Sequence, residues 1–338
     1  MAGLCIIALA VITALFAYYI APDHSPYANR VILEIGGRKP GFTQSFLRVK
    51  KEKEIQKSGF FSKLVSGEED PWIYVPVNDF TLFGDSIRVD KYIGDGLSEK
   101  QWYPLSKVAK EPVVSKKFLL GTDKNGRDIF SMLIIGTRVS LSVGMITLII
   151  SLTIGLLLGS LAGYFRGRVD DVIMWFINII WSIPTLLLVF AITLLLGKGF
   201  WQIFVAVGLT MWVNIARLVR GQVLSVREME YIEAARALGY GHTRIIFNHI
   251  IPNISGPVMV IAAANFASAI VIEAGLSFLG VGIQPPQPSW GLMIKENYNF
   301  IITQNPVIAL APGVAIMLLV LAFNLLGNGL RDAFDVRE

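Results

Sequence analysis

The residues able to do chemistry are few, and their spacing does not assemble a catalyst. Histidines stand only at His24, His242 and His249, and the one cysteine is Cys5. No Cys/His group has metal-ligand spacing, and no Ser/His/Asp arrangement suggests a nucleophile. Cys5 has no disulfide partner and reads as a small lipid- or helix-facing side chain. No Gly-x-x-x-x-Gly-Lys-Ser/Thr phosphate loop occurs, so the chain is not expected to bind ATP itself. No catalytic, cofactor-binding or metal-binding residue is assigned. One carboxylate, Glu273, lies close to an apolar segment, where acidic groups are functional candidates by default. The favoured alternative sets it at the outer boundary, bonding backbone in a glycine-rich turn, because a mid-membrane carboxylate is costly.

The most informative segment works by mechanics instead. Glu233-Ala234-Ala235-Arg236-Ala237-Leu238-Gly239 is followed by Ile250-Ile251-Pro252. Ala234 and Leu238 stand four apart with Ala237 beside them, so small and apolar side chains share a helical face. Gly239 suits the left-handed residue that closes a helix. Thr243 is placed to cap a second short helix, Arg244–His249, which Pro252 hands to the next apolar segment. Two short helices meeting at a glycine make a compact knob that a partner protein can grip. An interfacial helix lying on the membrane is the equal alternative on these grounds.

Apolar segments must position that knob. The chain has 338 residues, 54% hydrophobic and 16% charged, too apolar for a soluble globule. Uncharged runs approach or exceed the roughly 20 residues a spanning helix needs. Six spans are expected: Ala2 to Ile20, Ser140–Tyr164, Val172–Leu196, Phe200–Leu218, Asn253–Ile272 and Val307–Leu326. The first lacks a basic leader and a clear cleavage site, so it reads as a retained span rather than a signal peptide. The net charge of +5 is explained by topology and does not point to nucleic acid. Arg166, Arg168, Arg217, Arg220, Arg227, Arg236, Arg244, Arg331 and Arg337 lie in loops or tail that become cytoplasmic if both termini are inside. Gly197-Lys198-Gly199 and Gly280–Pro306 carry few basic residues and fall outside.

Residues 21–137 then form an extracytoplasmic insert of mixed or β-rich structure, with a charged cluster at Lys50–Lys57. Its pieces Trp72-Ile73-Tyr74-Val75 and Phe80-Thr81-Leu82-Phe83 read as short strands. The expected architecture is an all-α polytopic membrane protein with six transmembrane helices and a long insert between helices 1 and 2. Residues 1–20 are the first helix, 138–330 a transmembrane core with the loop 219–252, and 331–338 a tail. Asn178, Asn214, Asn265 and Asn324 are expected to bond neighbouring helices, and Pro184, Pro257 and Pro312 to kink theirs.

Glu-Ala-Ala, three residues, glycine, nine residues and a segment ending in proline resembles the cytoplasmic signature of ABC importer permeases. Glu233, Ala234, Ala235, Gly239 and Pro252 match it. His249 stands where the family usually has isoleucine, and His249 to Asn253 is similar to the dipeptide/oligopeptide branch. Leu120-Gly121-Thr122-Asp123-Lys124-Asn125-Gly126-Arg127-Asp128, running on to Gly136–Leu141, resembles the segment before the second span of C-type peptide permeases. Phe118-Leu119 stands where those have His-Pro. Glu273–Gly282 followed by Gln284-Pro285-Pro286-Gln287-Pro288-Ser289-Trp290-Gly291 resembles their segment after the fifth span. From the residues themselves, Thr122-Asp123 with Asn125-Gly126 is a turn with capping side chains, Arg127 and Asp128 can pair locally, and Trp290 suits the membrane interface. The resemblance covers most of residues 118–338 and is weak over 21–117. The family's basic stretch before the first span is missing.

The resemblance implies a type I ABC importer permease subunit in a bacterial inner membrane, carrying dipeptides or oligopeptides and surrounded by membrane lipids. Its implied partners are ABC ATPase subunits, which bind ATP and Mg, a second homologous permease and an extracytoplasmic solute-binding protein. It also implies ATPase coupling through Glu233, Ala234, Ala235, Ala237, Leu238, Gly239 and Pro252. Gly121, Thr122, Asp123, Gly126, Arg127, Asp128, Glu273, Pro285, Pro286, Trp290 and Gly291 are expected to be structural. A permease for another solute such as nickel chelates is the alternative. An ion-coupled secondary transporter ranks low because only Glu273 approaches the intramembrane carboxylates it needs. A membrane-anchored binding domain at 21–117 is a third reading.

Overall fold

The computed structural model describes residues 1–52, 59–94, 96–197, 199–302 and 305–334. Lys53, Glu54 and Lys57 of the charged cluster, Lys198, and the end of the tail with Arg337 lie outside them. The chain runs through α1 (Ala2–Leu15), α2 (Ala17–Ile20), β1 (Phe42–Lys50), α3 (Phe60–Ser66), β2 (Trp72–Phe83), β3 (Ser86–Gly94), β4 (Leu97–Pro104) and β5 (Val108–Phe118). There follow α4 (Ile129–Phe165), α5 (Gly167–Trp181), α6 (Thr185–Leu196), α7 (Phe200–Val226), α8 (Glu230–Ala237) and α9 (His242–Ile245). The last are α10 (Ile251–Asn253), α11 (Ser255–Leu279), α12 (Trp290–Asn297) and α13 (Val307–Phe334).

Contacts divide the chain into two units, one of Met1–Ala10, Ser140–Gln284 and Ile316–Glu338, the other of Val11–Val139 and Pro285–Ala315. The first unit is helical. Its tightest crossing sets α4 against α7 along Gly155, Gly159 and Gly163. A methyl group at these glycines would stand 2.6–2.8 Å from Ile215, Ala216, Val219, Arg220 or Val223. Small residues one turn apart let two backbones approach, the packing that works where lipid removes any hydrophobic drive between helices. Asn265 contributes a bond of the expected kind, its amide donating to the Met211 carbonyl at 3.4 Å.

The expected spans are only partly realised as single helices. Among the described residues, α4, α7, α11 and α13 are long and apolar enough to cross a membrane. Val172–Leu196, expected as one span, is α5 and α6 bent by 90°. Pro184 causes the break, because it offers no N–H and drives Ile183 out of helical conformation. The first segment is interrupted at Phe16, whose ψ is 20°, leaving α1 with 14 residues, about 21 Å at 1.5 Å per residue. Length alone therefore gives at most five crossings, not six. Pro257 breaks nothing, since it sits in the first turn of α11, where an N–H is not needed. Pro312 lies inside α13, which continues through it.

The second unit holds a five-stranded antiparallel sheet in the order β4-β3-β2-β1-β5. The all-α class expected for the chain does not extend here, because alternating aromatic and β-branched residues favour a pleated surface. Gly84, at φ +52°, makes the two-residue turn between β2 and β3. Leu47, Val49, Val75, Val77, Ile87 and Val89 form one core cluster. Phe46, Tyr92 and Phe118 form another with Ile32 and Ile35 of the preceding loop.

Candidate functional site

The Glu-Ala-Ala segment forms α8, and the side it buries is not the one its sequence spacing suggested. Ile232 and Ala235 turn inward, while Glu233, Ala234, Ala237, Leu238 and Gly239 are exposed, Leu238 to 73%. Ile232 and Ala235 join a core with Tyr164 of α4, Ile215, Val219 and Val223 of α7, Ile245 of α9, and Ile250, Ile254 and Val258. The knob is thus bolted to the ends of α4, α7 and α11, with its small-residue face free.

Gly239 closes α8 in a Schellman arrangement. Its φ is +79°, its N–H bonds the Arg236 carbonyl at 2.9 Å, and the Tyr240 N–H bonds the Ala235 carbonyl at 3.1 Å. Thr243 does not cap the next helix. Gly241 is the capping position and α9 begins at His242, so Thr243 lies within the turn. Ile246–Ile250 then widen into a π-turn before Pro252, which lets the ring avoid the carbonyl an α-turn would press against it.

Polar groups brace this assembly. The buried Tyr164 hydroxyl meets His242 Nδ1 at 2.9 Å, and the Arg227 guanidinium donates to the Tyr164 carbonyl. Arg220 grips Asp170 through two bonds, of 2.5 and 2.6 Å. Tyr240 stacks on His249, ring centroids 5.8 Å apart, while Arg244 lies 4.1 Å over the other side of the pair's reach, on the Tyr240 ring. Sequence reasoning missed Tyr164 and Arg227, which only the fold brings beside α8.

The second motif is a rigid turn. Asp123, fully buried, accepts from the Asn125 and Arg127 N–H groups at 2.9 and 2.8 Å and from Arg127 Nε at 2.7 Å. The same guanidinium reaches Glu296 of α12 at 2.6 Å. Arg127 does not pair with Asp128 as its neighbourhood suggested. Asp128 instead accepts from the Ser131 N–H at 3.2 Å at the start of α4, and burial pushes its carboxyl up. Thr122, buried, bonds the loop through its hydroxyl, which accepts from the Arg38 N–H at 2.9 Å. Gly121 and Gly126 have φ of +81° and +74°, and a Cβ would stand 2.2 and 1.8 Å from the carbonyls of Arg38 and Ile32.

The third motif divides between the units. In the first, Glu273 is buried and accepts from Ser277 Oγ at 2.6 Å, and that hydroxyl accepts the Ile283 N–H at 3.0 Å. The carboxylate therefore serves the turn through a serine rather than by bonding backbone directly. In the second unit, Pro285–Pro286 is cis, Ser289 caps α12, and Gly291 is buried. Trp290 is only 3% exposed and is not an interface residue. Its N–H donates to the Leu133 carbonyl at 3.0 Å, and its ring fills the space beside Gly136.

A cavity of about 190 Å³ lies in the second unit, lined by Asp23, Arg30, Ile32, Tyr74, Lys116 and Asp128 among others. Lys116 sits 3.8 Å over the Tyr74 ring, and burial, with Arg30 nearby, holds its ammonium down to about 8. The unfolded lysine keeps its proton to about 10.4, so the unfolded state binds more protons between those values and stability rises with pH there. Thermal unfolding of the purified chain at about pH 7 and about pH 9.5 should show the midpoint rising, and Lys116→Met should shrink that rise.

A family model described as binding-protein-dependent transport system inner membrane component matches residues 155–338. The chain is 42% identical over 216 residues to the glutathione transport system permease protein GsiD of Pectobacterium atrosepticum, covering 64% of this chain and 71% of that one. It is 39% identical over 221 residues to the oligopeptide transport system permease protein OppC of Bacillus subtilis, 65% and 72% of the two chains. With the dipeptide transport system permease protein DppC of Bacillus subtilis it shares 35% over 275 residues, 80% and 86%. Among solved structures, the inward-facing MetNI methionine ABC transporter is similar at a TM-score of 0.52 and 20% identity, covering 61% of this chain and 97% of that one. That likeness is one of fold.

Proposed function

Because the chain belongs to the family of binding-protein-dependent transport system inner membrane components, a permease subunit of ABC importers whose ATP hydrolysis is carried by separate chains, we propose that its cargo is a dipeptide or oligopeptide. The relatives named for oligopeptide, dipeptide and glutathione transport support this cargo. We read α1 with α2, α4, the α5–α6 pair, α7, α11 and α13 as six crossings with both termini cytoplasmic. Residues 21–137 are then an extracytoplasmic insert, 138–330 the transmembrane core with its loop 219–252, and 331–338 the tail. A second homologous permease completes the path, a solute-binding protein delivers the cargo from outside, and ATP and Mg bind the partner ATPases.

The observation that carries the mechanism is the exposed, small-residue face of α8 on a rigid base. Ala234, Ala237 and Leu238 offer close approach to an ATPase surface, and Glu233 stands beside them. Ile232 and Ala235, packed on α4, α7 and α11, pass any displacement of the knob to those helices. Gly239 and Pro252 set the path of the chain out of it. These residues carry force rather than chemistry. Gly121, Thr122, Asp123, Gly126, Arg127 and Asp128 pin the head of α4 against its neighbouring loop. Glu273, Pro285, Pro286, Trp290 and Gly291 shape the segment after α11.

Reconstitution with partner ATPases, the second permease and the binding protein tests the cargo. Labelled dipeptides or oligopeptides should enter vesicles only with ATP, and unlabelled peptide should compete. A complex that hydrolyses ATP and accumulates some other solute, while peptide neither enters nor competes, would overturn the peptide assignment.

A further inference from the structure

Helix α3 reads Phe60-Phe61-Ser62-Lys63-Leu64-Val65-Ser66. Apolar residues at 60, 61, 64 and 65 share one face, while Ser62, Lys63 and Ser66 share the other. Phe60, Phe61 and Val65 are 62%, 77% and 60% exposed, an arrangement that water disfavours.

The helix is held firmly in this posture. Arg138 donates to the carbonyls of Leu64 and Val65 at 2.9 and 3.1 Å. Gly67, at φ +76°, closes it in a space where a Cβ would meet the His24 carbonyl at 2.7 Å and the Tyr18 ring at 2.9 Å. At the other end, the Phe60 and Tyr19 rings lie 5.6 Å apart. These contacts fix α3 beside the end of α2, where Leu15, Phe16, Tyr19 and Ile20 are themselves exposed. The two apolar surfaces are continuous through the Tyr19–Phe60 contact. Lys63 pairs with Glu68 at 2.8 Å and lies 5.5 Å from the Tyr19 ring, keeping charge on the polar side of the helix.

We propose that α3 is a membrane-interface anchor, its Phe60, Phe61, Leu64 and Val65 inserted among lipid headgroups and upper acyl chains at the outer end of the first span. A short amphipathic helix with aromatic residues on one face and a lysine on the other suits that boundary. The occupant is lipid because the face continues the exposed side of the first segment. The anchor ties the base of the sheet-bearing insert to the bilayer surface. This inference rests on reading α1 and α2 as a span.

The test is nitroxide accessibility in the full chain reconstituted in phosphatidylethanolamine–phosphatidylglycerol vesicles. In a Cys5→Ser background, labels are placed singly at Phe61→Cys, at Val65→Cys as a second report on the same face, at Ile12→Cys on the first helix and at Leu97→Cys on β4. Ile12 and Leu97 are both exposed. The ratio of collisions with oxygen to collisions with a water-soluble nickel chelate should be severalfold higher at 61 and 65 than at 97, and approach the value at 12. A ratio at 61 and 65 equal to that at 97 overturns the anchor. Shielding of both labels from both colliders also overturns it, because the face is then covered by protein. If the label at 12 reports water as well, the span reading has failed. If 12 reports lipid while 61 and 65 do not, only the anchor has failed.

Discussion

Exchange of Gly239 for valine should lower ATP-driven uptake about tenfold while the chain still inserts and the ATPases still turn over, a strain of about 1–2 kcal/mol being worth roughly that factor. The reason is conformational and not steric crowding. No atom lies within 4 Å of a Cβ built at Gly239, but its φ is +79°, where a β-branched residue is strained. Relief comes from opening the closure of α8, that is, the bonds from Gly239 to Arg236 and from Tyr240 to Ala235. Leu238 then leaves the face offered to the partner. Asparagine tolerates the left-handed region, so Gly239→Asn should keep most of the uptake. Parallel measurement of uptake and ATP hydrolysis in proteoliposomes checks the ratio between them. Wild-type uptake by a normally inserted valine variant would remove Gly239 from the coupling device.

The largest stability effect is expected at Asp123. Its carboxylate is buried, bonds two backbone N–H groups and holds a guanidinium that is only 5% exposed. Asp123→Ala strands that charge and should cost about 3 kcal/mol, the lower end of the range for breaking a buried pair, because Glu296 remains as partner. Glu296→Gln should cost less, since its side chain is 15% exposed and the Asp123 contact survives. Replacing Asp123, Arg127 and Glu296 together by apolar residues of similar volume should be milder than Asp123→Ala alone. Thermal unfolding midpoints of the four purified proteins give the order. A triple variant less stable than Asp123→Ala would show that the charges stabilise the turn beyond their mutual neutralisation.

How much of this was legible depended on the distance over which each residue acts. The helix-glycine closure of α8 is local, and Gly239 announced it. The buried face of α8 was not legible, because Ile232 and Ala235 are chosen by α4 and α7, far away in the chain. Arg127 misled in the same way: its nearest carboxylate in sequence is Asp128, but its partners are Asp123 and a glutamate 169 residues on. Trp290 carried the composition of an interface residue and became a buried plug, because Gly136 left a ring-sized space. Pro184 signalled a kink, while the 90° between α5 and α6 is set by packing that no local rule contains. The strands were suggested by their alternation, but their order, with β1 between β2 and β5, was not.

The central claim is that the exposed face of α8 meets an ATPase. Its most direct test is site-specific crosslinking in the assembled importer, with Leu238→Cys in a Cys5→Ser background and single cysteines introduced over the ATPase surface. Crosslinks at Leu238 should form in high yield, change with nucleotide, and be absent from Leu97→Cys on β4. Failure of Leu238→Cys to crosslink to any ATPase position, in a complex that still transports, would contradict the account.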